Sequence, residues 1–288
     1  MTIWNELQGF EFKQRFINIT GTKIRTIEAG DGPLLMFLHG TGGHAEAYLR
    51  NLRAHAASFR VMALDMIGHG YSDAPDISYE MQDYVNFMAE FVDSISPNHK
   101  VYISGESLGA SVAAWYAGAY PNRVAKIVLN TGTLLPPEPE GRAELLDLLD
   151  RTRNATNEVT RESIRARMQW LFFNNHELTE ELVESRYRIY IQPGRAEVIR
   201  KIVENSLGAL LNEADQARWY SSDLLKKIQC PTLVLWTRHN PGQGLDLAER
   251  TLDHLSAGEL VVLEHSAHWP QWEEPDRFNE VHLKFLKK

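Results

Sequence analysis

From residue 10 to about 130 the chain alternates strand-like runs with segments of helical spacing. "FINIT" and "KIRTIEA" are β-like runs of mixed polarity, and the apolar "LLMFLHG" follows them. "AEAYLRNLRAHAAS" repeats its apolar positions at helical intervals, and "FRVMALDMIGHG" is a strand feeding a glycine-rich loop. An amphipathic helix in "YEMQDYVNFMAEFVDSI", a strand in "KVYISGES", a small-residue helix in "LGASVAAWYAGAY" and a strand in "VAKIVLNTG" complete the series. Apolar strands separated by helices predict a mostly parallel sheet covered on both faces.

The pattern changes at "LLPPEPEG", where three prolines break regular structure. Residues 142–212 show helical periodicity alone, rich in Arg and Glu, which reads as solvated helix faces. Strand and helix signals return with "PTLVLW", "GLDLAERTLDHL", "GELVVLEHS" and a closing amphipathic helix near "DRFNEVHLKFLKK". The economical reading is a core in two parts, 1–133 and 213–288, with a helical cap (134–212) inserted after the sixth strand.

Composition narrows the classes. The 288 residues are 43% hydrophobic, enough for a packed core, and no stretch approaches the roughly 18 apolar residues of a membrane span. The start, "MTIWNELQGFEFKQ", lacks the features of a signal peptide, and a lone Cys230 fits a reducing compartment, so a soluble cytoplasmic protein is expected. A net charge of −8 argues against nucleic-acid binding. No histidine or cysteine spacing suggests a metal, and no cofactor is expected. The expected partner is a small molecule; a homo-oligomer stays open.

Chemistry enters at Gly105-Glu106-Ser107-Leu108-Gly109, a G-x-S-x-G motif between an apolar strand and a helix. That context is what a nucleophile elbow requires, so Ser107 is the expected nucleophile. The backbone N–H of Leu108, at the helix start, is one expected oxyanion donor. The loop His39-Gly40-Thr41-Gly42-Gly43 should supply the second, from Thr41 first or Gly42 next. His39 is expected to orient that loop rather than act as a base. Among eleven histidines, His268 stands after a late apolar strand, where the order nucleophile, acid, histidine puts the base. His265 is its nearest competitor.

The acid position is atypical. In "PTLVLWTRHNPGQG" the residue just past the strand is Asn240, where a serine hydrolase is expected to carry a carboxylate. Asparagine can accept a hydrogen bond from imidazole but supplies no negative charge. Three explanations stand. Another carboxylate serves (Glu264, Asp246 or Glu106), or Asn240 orients His268 adequately, or catalysis is suppressed by drift or by deliberate substitution.

With these residues in place the chain resembles the α/β-hydrolase superfamily over essentially its full length, and within it the meta-cleavage product hydrolases. The echoes are "HWPQWEEPDRFNEVHLKFL", similar to the family's His-Trp-x-Gln-Trp-Glu ending, and "TEELVESRYRIYIQP" in the cap. The resemblance implies an α/β-hydrolase fold and hydrolysis of a carbon–carbon bond in a 2-hydroxy-6-oxo-dienoate from aromatic catabolism. It also implies a carboxylate-bearing substrate bound by Arg186 and a pocket wall at Trp269. The chain departs from the family at Glu106, where Asn is common, at a loop asparagine with no match, and at Asn240. Carboxylic-ester or lactone hydrolysis, using the same nucleophile, is the second expectation. A weakly active or inactive ligand-binding homologue is the third.

Overall fold

The computed structural model describes residues 2–288. Eight strands form one sheet: β1 (Lys13–Ile19), β2 (Thr22–Ala29), β3 (Leu34–Leu38), β4 (Arg60–Leu64), β5 (Val101–Glu106), β6 (Val124–Asn130), β7 (Thr232–Thr237) and β8 (Gly258–Leu263). Their order is β1-β2-β4-β3-β5-β6-β7-β8. β1 and β2 run antiparallel at one edge, and from β4 to β8 every pairing is parallel. The sheet is mostly parallel, as the alternation predicts, and its order fits the α/β-hydrolase fold that the resemblance implies.

Burial follows the hydropathy of each run. All five residues of β3 and all six of β7 are buried, as strands covered on both faces must be. Helices Leu49–Ala56, Met81–Ile95, Leu108–Ala119, Leu245–Asp253 and Pro275–Lys287 cover the sheet. Met81–Ile95 begins in a capping box: Glu80 and Asp83 each accept the other's backbone N–H, which satisfies two donors left free in the first turn.

Between β6 and β7 there is only helix and loop, including Pro139–Asn157, Arg161–Gln169, Glu180–Tyr190 and Arg195–Ser206. Thr160 and Thr179 cap two of these helices through their side-chain oxygens. Ile164, Met168, Leu182 and Val183 are buried in the same apolar cluster as the sheet, so this segment packs onto the core. Many of its charges do form solvent-facing pairs, such as Arg161 with Glu184 and Arg153 with Glu204. Arg167 and Arg186 do not, being 2% and 1% exposed.

The turn from β5 into Leu108–Ala119 is tight. Ser107 has φ 53° and ψ −114°, outside the regions open to most L-residues. Two glycines permit it. A Cβ on Gly105 would lie 2.0 Å from the carbonyl oxygen of Gly109, and one on Gly109 would lie 2.3 Å from that of Leu38.

Backbone cannot yield as a side chain can, so Gly109→Ala should destabilise the fold by about 3 kcal/mol or more. Gly118→Ala lies in the same helix but would meet the flexible Leu224 side chain at 2.8 Å, and should change stability by about 1 kcal/mol or less. Urea unfolding of both variants measures this; equal midpoints would contradict the packing account.

Candidate active site

Four loops meet beyond the carboxyl ends of the parallel strands, where ligands bind in open α/β sheets. β3 leads into 39–43, β5 into Ser107, β7 into Asn240 and β8 into His268. Ser107, Leu108, Thr41, Glu106, Arg186 and His268 all line one cavity under the cap, with Trp269 in its wall.

His268 is buried, and its Nδ1 lies 2.7 Å from Asn240 Oδ1. Asn240 thus stands at the position expected for the acid. Its side-chain oxygen accepts from the ring, while its buried Nδ2 has no partner among the described residues. Several bonds fix the loop of His268. Its N–H donates to Leu171 O in the cap (3.0 Å), Thr131 Oγ1 donates to its carbonyl (3.0 Å), and Thr237 Oγ1 donates to Ala267 O (2.6 Å). The Trp170 ring meets the imidazole edge-on, with centroids 5.0 Å apart.

The other face of the ring holds the departure from an ordinary triad. His268 Nε2 lies 3.1 Å from Glu106 Oε1, and Glu106 Oε2 accepts the backbone N–H of Gly40 at 2.6 Å. The carboxylate is 2% exposed. Of the three alternative acids, Glu106 is the one that reaches the imidazole. Glu264 is exposed and paired with Arg238, and Asp246 is exposed in the first turn of its helix. Both expectations are corrected for the same reason: strand β8 and the helix after β7 carry those side chains to solvent. His265, the rival base, is exposed as well.

The residues expected as oxyanion donors divide. Leu108 sits in the first turn of its helix, where backbone N–H groups have no intrahelical acceptor. Thr41 lines the cavity. Gly42 does not: its φ of 71° turns it toward the cap, where Tyr190 Oη donates to its carbonyl at 3.5 Å. His39 orients the loop: Nδ1–H donates to Gly40 O (2.8 Å) and Nε2 accepts from Met66 N (3.1 Å). Burial pushes its imidazole down to about 4, so it stays neutral.

Arg186 and Arg167 bring positive charge into the same cavity. None of the three guanidinium nitrogens of Arg186 has a protein partner among the described residues. Its guanidinium lies 5.4 Å from the Trp269 ring centroid. Arg167 donates from Nε to Thr152 Oγ1 (2.8 Å) and from a terminal nitrogen to Thr41 O (3.2 Å), leaving its other terminal nitrogen unpartnered. Burial lowers both, Arg167 to about 10. Sequence reasoning missed Arg167, because "RESIRARMQ" reads as a polar helix and only its packing puts one arginine inside.

It also missed Glu273. That carboxylate accepts the N–H groups of Phe173 and Asn174 in the cap and of Ala267 beside His268, each at 2.9 Å. Burial pushes it up to about 7. Among the described residues no cluster of three or more His, Cys, Asp or Glu could hold a metal, and no helix is long and apolar enough to cross a membrane.

Known proteins share this architecture. The family model for the alpha/beta hydrolase fold matches residues 33–275. A 2-hydroxy-6-oxononadienedioate/2-hydroxy-6-oxononatrienedioate hydrolase of Klebsiella pneumoniae is 30% identical over 290 residues, covering 95% of this chain and 96% of its own. The structure of a 2-hydroxy-6-oxo-6-phenylhexa-2,4-dienoate hydrolase from Rhodococcus sp. strain RHA1 superposes with a TM-score of 0.82 at 23% identity, covering 96% of this chain and 99% of its own. A putative lipase from Acinetobacter baumannii superposes with a TM-score of 0.85 at 20% identity, covering 99% and 94%. The chain belongs to the alpha/beta hydrolase family of enzymes, among relatives named as meta-cleavage product hydrolases.

Proposed function

We propose that the protein hydrolyses a carbon–carbon bond in a 2-hydroxy-6-oxo-dienoate, with no cofactor. The observation that carries this reading is a pair of buried guanidinium groups with unpartnered N–H donors in the cavity that holds Ser107 and His268. Unsatisfied buried charge is costly, and a bound carboxylate removes that cost by accepting two parallel hydrogen bonds. Such a site suits an anion. The Klebsiella relative is named for a nonadienedioate, a molecule that carries carboxylate.

In this reading Ser107 attacks the ketone carbon, and its proton passes to His268 as the new C–O bond forms. The developing oxyanion is received by the N–H groups of Leu108 and Thr41. Asn240 holds the ring through Nδ1–H. Arg186, with Arg167 beside it, fixes the carboxylate end, and Trp269 forms the apolar wall. An ester or lactone would be cleaved by the same nucleophile and donors. The arginines are what favour the dienoate.

A fluorophosphonate probe should label Ser107 covalently, and Ser107→Ala should abolish both labelling and turnover. Equal labelling of the alanine variant would remove Ser107 as nucleophile. Absence of any turnover in the unchanged protein, across esters and dienoates, would favour a ligand-binding homologue.

Substrate charge is tested by Arg186→Ala. Charged hydrogen bonds contribute about 1.5–3 kcal/mol, so kcat/KM for a dienoate should fall about 10- to 100-fold. A neutral aryl ester should change little, and Arg186→Lys should recover only part of the dienoate activity. Trp269→Ala should impair both substrates. Equal losses for ester and dienoate in Arg186→Ala would assign the arginine to cap packing and leave ester hydrolysis as the better reading.

A further inference from the structure

Glu273 is not among the residues that line the cavity, yet the cap and the loop of His268 meet on its carboxylate. Its Oε1 accepts the N–H groups of Phe173 and Asn174, and its Oε2 accepts that of Ala267, each at 2.9 Å. Its own N–H donates to Trp269 O at 2.9 Å. Side chain and backbone of one residue therefore close a ring through 267–273, and His268 lies inside it. The cap follows the same loop residue by residue. The Trp170 ring meets the imidazole edge-on, Leu171 O accepts the His268 N–H, and Phe172 packs on Trp269 with ring centroids 5.5 Å apart. Phe173 stacks on His239, the neighbour of Asn240, with centroids 4.0 Å apart and 10° between the planes.

We propose that Glu273 is a positioning residue for His268: its carboxylate closes the loop around the histidine and fastens that loop to cap segment 171–174. The proposal rests on the reading of His268 as the base for Ser107 given above. The junction calls for a carboxylate in particular. Donors arrive from two sides, and a carboxylate accepts at both oxygens. A glutamine of the same shape has one acceptor oxygen. It would serve the cap or the loop, and its NH₂ would then face N–H groups on the other side.

The core and the clamp hold opposite sides of the loop backbone. Thr131 and Thr237 of the core donate to the carbonyls of His268 and Ala267. The N–H groups of the same two residues go to Leu171 O and to Glu273. Removing the carboxylate leaves the loop held mainly by its carbonyls, and the imidazole gains freedom to shift. Misplacement of a reacting group by about 1 Å costs on the order of 100-fold in rate. Substrate binding is anchored elsewhere. Arg186 stands on helix Glu180–Tyr190, and Arg167 is fixed by Thr152 Oγ1 and Thr41 O. The clamp therefore bears on turnover and leaves the grip on the carboxylate in place.

The test compares kcat and KM of the unchanged protein, Glu273→Gln and Glu273→Asp on a 2-hydroxy-6-oxo-dienoate and on a neutral aryl ester. Glu273→Gln should lower kcat for both substrates by about 10- to 100-fold and leave KM for the dienoate within about twofold, the pattern of a loss confined to the transition state. Glu273→Asp keeps both acceptor oxygens on a shorter stem and should recover at least about threefold of the lost kcat. An unchanged kcat in Glu273→Gln overturns the proposal. So does a rise in KM as large as the fall in kcat, which would make Glu273 a general support of the cavity. Amide hydrogen exchange of the unchanged protein, followed by NMR, needs neither variant nor substrate. The N–H groups of Phe173, Asn174 and Ala267 should be protected together, and free exchange at any of the three would refute the clamp. Turnover that survives His268→Ala would instead remove the reading of His268 as base, while the exchange rates would still report the clamp.

Discussion

The close approach of β5, the following helix and β3 is the constraint on which the site depends. Because Gly105 and Gly109 let backbone touch backbone, the chain reverses at Ser107 in a left-handed conformation. One turn then aims three consecutive groups. Ser107 is lifted over the sheet edge, the Leu108 N–H opens the helix behind it, and Glu106 is directed to Gly40 and His268. The side chain before Ser107 is therefore no spectator. Its position is set by the same glycines that strain the serine.

The second organising element is charge placed under the cap. Ion pairs on the outer cap surface contribute little, as exposed pairs generally do. Arg167 and Arg186 are different, since both are buried and their remaining donors meet no protein acceptor among the described residues. Glu106 is the carboxylate of the cavity wall, and it is already engaged by Gly40 and His268. Positive charge is thus left over for a ligand, and the cap is held over it by His268 N–H to Leu171 and by the Glu273 carboxylate.

Much of this was legible in the sequence, for identifiable reasons. Strands β3 and β7 are continuous apolar runs, so their positions and the loops after them follow from hydropathy. The glycines around Ser107 carry a steric requirement that a sequence shows directly, and His268 follows from chain order. What escaped depends on packing. Arg167 shares its helix with exposed residues, and only the rotation of that helix buries it. Glu106, Glu264 and Asp246 were equivalent as a list of carboxylates; the side-chain direction at the end of β5 separates them. Gly42 and Thr41 differ by one residue in a glycine-rich loop, and only packing shows that Thr41 lines the cavity while Gly42 meets Tyr190. The surface reading of the cap's charges holds for Arg161 and Arg153 but fails for Arg167, while Arg186 faces the cavity where the resemblance implies it.

The central claim is that cleavage here depends on gripping a carboxylate remote from the bond that breaks. It is tested most directly by comparing a 2-hydroxy-6-oxo-dienoate with the methyl ester of its carboxylate, following carbon–carbon cleavage in each. Both carry the same scissile bond, and they differ in the group offered to Arg186 and Arg167. The account predicts kcat/KM at least about tenfold higher for the free acid, from the loss of charge-assisted hydrogen bonds in the ester. Equal kcat/KM for the two would contradict it.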